Sequence, residues 1–156
     1  MNKLEQLAKL MCPDVTLTIQ DLEERYPARD LKEGARVTRF APSPTGCFHT
    51  GSLFASFVAS KLAHDTDGIF YLRIEDTDTK REVKGSTQTL INQLNTFDVT
   101  IDEGYGFGGN YGPYMQSERS FIYNTVIYDM VLKGIAYPCF CICDDLSAIR
   151  EVQTAN

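Results

Sequence analysis

Apolar positions at Leu4, Leu7, Ala8 and Met11 recur at helical spacing, and Pro13 ends that run. Thr18 is placed to cap a second short helix that runs to Arg25 and is closed by Pro27, after which residues 30–34 read as a polar link. Residues 37–41 then read as a strand and lead directly into a Pro/Gly turn. From Leu53 to His64 the residues Leu53, Phe54, Phe57, Val58 and Leu62 predict one apolar helix face, stopped by Asp65-Thr-Asp-Gly68. The nearly continuous apolar run 69–74 predicts a strand buried on both faces. Strand, helix and strand within about 38 residues make a βαβ unit with a right-handed crossover.

A further helix is expected over 83–97, with Val83, Leu90, Ile91, Leu94 and Phe97 inward. Residues 98–114 are rich in glycine and tyrosine and read as a loop. Ser117 should cap a helix that carries Glu118 in its first turn and ends at Gly134. Residues 135–140 read as a short strand, and Asp144 or Asp145 should cap a last helix through Val152. The pattern is α/β, with a parallel sheet and a short helical extension ahead of it.

Composition narrows the setting. At 156 residues, 43% hydrophobic and 23% charged, the chain is about one globular domain. No apolar run approaches the roughly 20 residues of a membrane span. The N-terminus lacks a basic stretch followed by an apolar core, so a cytoplasmic address is expected over secretion. A net charge of −6 argues against nucleic-acid binding by the whole surface and leaves room for a local basic patch. Five cysteines, three of them in Cys139-Phe-Cys141-Ile-Cys143, fit reduced thiols or metal ligands better than a disulfide framework.

Chemistry concentrates in the turn Pro42-Ser43-Pro44-Thr45-Gly46-Cys47-Phe48-His49-Thr50-Gly51-Ser52. Ligands of open α/β sheets bind at the carboxyl ends of the strands, and a helix starting near Gly51 aims N–H groups and its positive end at that place. Gly46 and Gly51 allow close backbone approach, and His49 can donate hydrogen bonds to phosphate oxygens as charge develops. The alternative for a lone histidine at a turn is a structural one. Arg73-Ile-Glu75-Asp76-Thr-Asp78 lies at the same sheet edge, where carboxylates can bind an amino group, a ribose hydroxyl or Mg²⁺, or merely form a solvated acidic turn. Gly104-Tyr-Gly106-Phe-Gly108-Gly109 matches G-x-G-x-x-G, but no strand is expected before it and Asn110-Tyr-Gly-Pro113 forbids a helix after it, so it is not a dinucleotide fingerprint. Cys139 and Cys141 are half of a zinc site; Cys143, Cys12, Cys47, His49 and His64 are the remaining thiol and imidazole candidates.

With these residues in place the chain resembles the glutamyl-tRNA synthetases, class I aminoacyl-tRNA synthetases. The resemblance covers about residues 34–153 and rests on four blocks in order: Arg39-Phe-Ala-Pro-Ser-Pro-Thr-Gly46 with His49-x-Gly51, Leu72-Arg-Ile-Glu-Asp-Thr-Asp78, Tyr111-Gly-Pro-Tyr-x-Gln-Ser-Glu-Arg119, and Ala136-Tyr-Pro-Cys139-x-Cys141. It implies the N-terminal half of a Rossmann-type catalytic domain over residues 35–156, preceded by a helical extension over 1–34. It further implies activation of glutamate with ATP and Mg²⁺ and transfer to tRNA(Glu). His49, Gly51 and Ser52 fall in the family's HIGH signature. Arg39, Ala41, Ser43, Thr45 and Glu75 match positions that hold ATP or glutamate, and Cys139 and Cys141 match half of a Zn²⁺ site present in some members.

The glutaminyl branch would show Pro-Glu-Pro-Asn-Gly and Arg-Phe-Asp-Asp-Thr, which this chain lacks. A shorter paralogue that glutamylates a modified tRNA base shares the blocks but starts almost at the first of them, and the 34-residue leader speaks against it. Thr50, Ser52, Phe54 and Met115 depart from the family's usual residues, which keeps a non-catalytic nucleotide- or partner-binding module as a second alternative. Family members are roughly three times longer, so the KMSKS loop, the anticodon-binding region and a second zinc pair are expected to lie after residue 156, and these residues alone are expected to be inactive.

Overall fold

The computed structural model describes residues 2–46 and 48–154, and within them no side chain is described for Cys143, Asp144 or Ala148. Cys47, one of the zinc candidates, and the proposed caps' Asp144 side chain therefore lie outside the described part. Two compact units divide the chain, one of Gln20–Tyr123 and one of Met1–Ile19 with Asn124–Asn156.

In the first unit three parallel strands form a sheet in the order β1 (Val37–Phe40), β2 (Ile69–Leu72), β3 (Glu103–Gly104). Val37 pairs with Ile69 and Phe40 with Leu72; Tyr71 pairs with Glu103. Helix α3 (Thr50–His64) joins β1 to β2, and α4 (Ser86–Thr96) lies between β2 and β3. This is the expected βαβ unit. Its core gathers Phe70, Leu72 and Ile74 from one face of the sheet with Ala63, Leu90, Ile91 and Leu94 from the helices. Each of the large side chains among them contributes on the order of 1.5–3 kcal/mol through loss of apolar surface.

Several expectations are corrected by packing. Of the five residues predicted for the inner face of α3 only Leu53 packs against the core: Ser56, Ser60 and Ala63 point inward, while Phe54, Phe57, Val58 and Leu62 stay exposed. Apolar residues occur on most sides of this helix, so periodicity did not choose a face, and small residues allow the closer approach to the sheet. The Thr38 hydroxyl, 2.7 Å from the Ala59 carbonyl to which it donates, fixes that approach. Strand β2 is not buried on both faces; Phe70 and Leu72 are fully covered, whereas Ile69 and Tyr71 are half-buried on the opposite face.

Helix α4 begins at Ser86, not Val83, because Gly85 sits at φ +82°, outside helical backbone; the Val83 N–H donates to the Pro44 carbonyl at 2.9 Å instead. Residues 98–114 are not wholly loop, since Glu103–Gly104 completes the sheet. Gly104 sits at φ +135° and a Cβ there would lie 2.3 Å from the Leu72 carbonyl oxygen, so the strand depends on glycine, a residue that reads as loop. The G-x-G-x-x-G segment thus does follow a short strand, but no helix follows it before Ser117, and its rejection as a dinucleotide site stands.

In the second unit α1 (Lys3–Met11) is closed by a capping box, with the Glu5 N–H donating to the Asn2 side chain and the Asn2 N–H to the Glu5 carboxylate, both at 2.8 Å. Helix α2 (Ile19–Arg25) follows, as expected, and all but its first residue belongs to the first unit. A 3-10 turn of the first unit, Ser117–Arg119, precedes α5 (Ser120–Leu132), which begins in the first unit and ends in the second, and α6 (Cys143–Thr154) comes last. Ser117 caps nothing: its hydroxyl is committed to Asp76. Asp145 likewise sits inside α6, where it accepts from the Ile142 N–H at 3.1 Å. The strand expected over 135–140 does not form; Ile135, Tyr137 and Phe140 are exposed, and no described strand pairs with them. No described helix is long and apolar enough to cross a membrane.

Candidate active site

The turn after β1 is bolted to its surroundings by main-chain hydrogen bonds. The Thr45 N–H donates to the Ser43 carbonyl at 2.8 Å, and the Glu75 N–H to the Pro42 carbonyl at 2.9 Å. The Ser86 hydroxyl donates to the Pro44 carbonyl, also at 2.8 Å. Two prolines remove backbone freedom, and these bonds remove much of the rest.

His49 is the N-cap of α3. Its Nδ1 accepts the Ser52 N–H at 3.3 Å, and its Nε2 lies 3.2 Å from Ser52 Oγ. A proton on Nε2 satisfies both contacts and leaves the Ser52 hydroxyl hydrogen to donate elsewhere. A Cβ on Gly51 would meet the imidazole at 3.1 Å, so glycine here gives the ring its room. No acidic residue stands in the first turn of α3, and its positive end is uncompensated. A cleft of about 360 Å³ opens here and is lined by Ala41, Ser43, Thr45, His49, Gly51 and Ser52, among others. Six of the eight ligand-binding residues expected from the sequence therefore share one wall.

The other two, Arg39 and Glu75, meet on the sheet face opposite the core, with Arg39 Nη1 3.6 Å from Glu75 Oε1. Arg73 joins them, its Nη2 donating to the same Oε1 at 3.0 Å. Arg73 is not among the candidates from sequence, although its position two before Glu75, in the extended backbone just past β2, places both side chains on one face. The remaining carboxylates of the acidic run are otherwise engaged. Asp76 is buried and accepts from the Ser117 N–H at 2.9 Å and from its hydroxyl at 2.5 Å. Burial alone would raise its pKa; the bonds from Ser117 and from backbone N–H groups more than offset that, and it falls below the usual aspartate value. Asp78 pairs with Arg81.

A second cavity, of about 300 Å³, adjoins Arg73 on the same sheet face and is lined by Arg29, Tyr71, Glu103, Tyr111, Tyr114 and Arg119, among others. Arg29 forms a forked pair with Glu103 and lies 3.7 Å from the centre of the Tyr111 ring. The hydrogen bond to Glu103 raises the pKa of Arg29, and burial foremost raises that of Tyr114. The Tyr26 hydroxyl donates to the Gly112 carbonyl at 2.7 Å, and the Tyr111 hydroxyl to the Pro27 carbonyl at 2.9 Å. Residues 26–29, read from sequence as a terminal accessory, are thus stapled to the block that begins at Tyr111.

Cys139 and Cys141 are exposed free thiols, and a hydrogen-bonded relation between them lowers the pKa of the first and raises that of the second. Among the described residues no three His, Cys, Asp or Glu side chains are grouped to hold a metal ion. Two thiols do not meet the four-ligand demand of structural zinc, so these residues do not by themselves fit a zinc site.

Known proteins resemble this chain. The family described as tRNA synthetases class I (E and Q), catalytic domain, matches residues 36–156. A glutamate–tRNA ligase of Clostridium perfringens (strain 13 / Type A) is 49% identical over 156 residues, covering 97% of this chain and 29% of that protein. One from Acetivibrio thermocellus is 48% identical with the same coverage. Among solved structures, a glutamate tRNA ligase from Elizabethkingia meningosepticum in complex with its amino acid superimposes with a TM-score of 0.67 at 40% identity, over 79% of this chain and 24% of that one. This chain accordingly spans less than a third of the length of these relatives. The length of the family match, the identity and the superposition of the fold agree, and the chain belongs to the class I tRNA synthetases of the E and Q group, within their catalytic domain.

Proposed function

We propose that these residues form the ATP- and glutamate-binding part of a glutamate–tRNA ligase. The observation that carries the reading is the His49-capped N-terminus of α3 opening on a hydroxyl-lined cleft. ATP with Mg²⁺ enters as a substrate complex. Ser43, Thr45, Ser52 and the first N–H groups of α3 face its phosphates, and the Ser52 hydroxyl, freed by the proton on His49 Nε2, donates to them. Arg39 holds a carboxylate of the amino acid and Glu75 its ammonium group. The α-carboxylate of glutamate attacks the α-phosphorus, the bond to the β-phosphate oxygen breaks, and pyrophosphate leaves. The tRNA 3′-terminal hydroxyl then attacks the acyl carbon, loses its proton, and AMP departs. Catalysis by these residues is orientation and charge stabilisation, with no covalent bond to the protein.

A chimera in which residues 1–156 replace the matching segment of the Clostridium perfringens ligase tests the reading through glutamate-dependent ATP–pyrophosphate exchange. Exchange is expected, and His49→Ala should lower it by about 10²–10³, the effect of losing a preorganised donor. An inactive chimera beside an active parent would refute the assignment. The isolated residues, covering under a third of such enzymes, are expected to show no exchange.

A further inference from the structure

The Glu75 carboxylate is partly exposed, while its main chain is held from three directions. Its own N–H donates to the Pro42 carbonyl at 2.9 Å, which ties it to the turn after β1. On one side Ile74 bridges to Met115: the Ile74 N–H donates to the Tyr114 carbonyl and its carbonyl accepts the Gln116 N–H, both at 2.9 Å. On the other side Asp76 accepts the Ser117 N–H on Oδ1 at 2.9 Å and the Ser117 hydroxyl on Oδ2 at 2.5 Å.

Successive side chains of extended backbone point to opposite faces, so Glu75 meets Arg39 and Arg73 while Asp76 is turned into the protein and is only 8% exposed. A carboxylate removed from water to that extent needs hydrogen bonds in place of its hydration, and Ser117 supplies one to each oxygen. Two bonds from one residue fix the plane of the carboxylate as well as its distance. Ser117 is itself a firm anchor, because the block before it is pinned. Arg119 Nη1 donates to the Pro113 carbonyl at 2.7 Å and to the Tyr111 carbonyl at 3.3 Å, and the Tyr26 hydroxyl to the Gly112 carbonyl at 2.7 Å. All of these residues belong to the first unit.

We propose that Asp76 is a positioning residue for the amino-acid site. Clamped by Ser117, it sets where the neighbouring Glu75 carboxylate stands, and through it the affinity for the ammonium group of glutamate. Asp76 acts only through Glu75 and touches no substrate. The phosphate side of the cleft has its own anchors, since the Thr45 N–H donates to the Ser43 carbonyl and the Ser86 hydroxyl to the Pro44 carbonyl, both at 2.8 Å. Loss of the Asp76 clamp therefore falls on the amino acid and spares ATP. The inference rests on the ligase reading above.

The test measures KM for glutamate and KM for ATP separately, by pyrophosphate exchange in the chimera. Asp76→Ala should raise the glutamate KM by at least about 10-fold and the ATP KM by less than about 3-fold, since misplacing a substrate-holding group by about 1 Å can cost about 10²-fold. Ser117→Ala keeps the N–H bond and should raise the glutamate KM by less, while Ser117→Thr keeps the hydroxyl and should stay within about 2-fold of the parent. Asp76→Ala combined with Ser117→Ala should be no worse than Asp76→Ala alone, because the two side chains act as one clamp. A purely structural role would reduce the amount of active enzyme, and so the apparent kcat, without moving either KM. That result, or an equal rise in both KM values, overturns the inference. If Asp76→Ala does not fold, Asp76→Asn and Ser117→Ala carry the same comparison. Failure of the unsubstituted chimera to exchange pyrophosphate overturns the ligase reading before any variant is made, whereas an active chimera whose glutamate KM ignores these substitutions overturns this inference alone.

Discussion

Replacing Arg29 by methionine removes the guanidinium that Glu103 and the Tyr111 ring share. The Arg29 and Glu103 side chains are only 16% and 10% exposed, so this pair is not a solvated surface contact. Removing one partner leaves Glu103 buried with a lone phenol, Tyr114, for company, and breaking a buried pair in that way costs about 3–5 kcal/mol. The double variant Arg29→Met with Glu103→Gln removes both charges, so the loss should fall to about 1–2 kcal/mol, the residue of the cation–π contact and hydrogen bonds. With a urea dependence of about 2 kcal/mol per molar, the single variant should lower the midpoint by about 1.5–2.5 M and the double variant by about 0.5–1 M. Circular dichroism and tyrosine fluorescence can follow the transition, since the chain has no tryptophan. A single-variant shift no larger than that of the double variant would refute the reasoning, because Glu103 would then be solvated enough to stand alone.

Two further outcomes concern the scaffold. A Cβ at Gly68 would fall 1.9 Å from the Arg36 carbonyl oxygen, which accepts the Ile69 N–H at 3.0 Å, so Gly68→Ala must displace the start of the β1–β2 ladder. A loss of about 1–3 kcal/mol is expected, read as a drop of about 2–12 °C in thermal midpoint, and an unchanged midpoint would contradict the close approach. Asp76 has a lowered pKa in the folded protein, so its contribution is complete above the usual aspartate value of 3.8 and is lost as pH falls through the lower folded value. Asp76→Asn should therefore be less stable at neutral pH by about 1–3 kcal/mol and show a shallower decline below about pH 4 than the parent, checked by urea midpoints between pH 2 and 7. Equal slopes in that acid range would remove Asp76 from the acid response.

By itself the sequence determined the βαβ unit, the turn and the family. Strand 37–40 alternates against a helix, Pro and Gly punctuate residues 42–51, and His49 opens a helix; these are local properties, set by dihedral preference and nearest neighbours. The residues around His49 could be grouped in advance because they are close along the chain. What lay beyond sequence were choices between faces and pairings of distant segments. Nothing local tells α3 to bury Ser56, Ser60 and Ala63 in preference to Phe54 and Phe57; the distance to the sheet decides it. Nothing local makes Glu103–Gly104 a strand, because its ladder partner is Tyr71–Leu72. Ser117 looks like a helix cap until Asp76, 41 residues away, takes its hydroxyl. The same holds for the site: Arg73 acquires meaning only when β1 carries Arg39 up to the carboxylate that Arg73 already holds. A cluster of three side chains from two distant segments belongs to the tertiary structure, since it exists only where they meet.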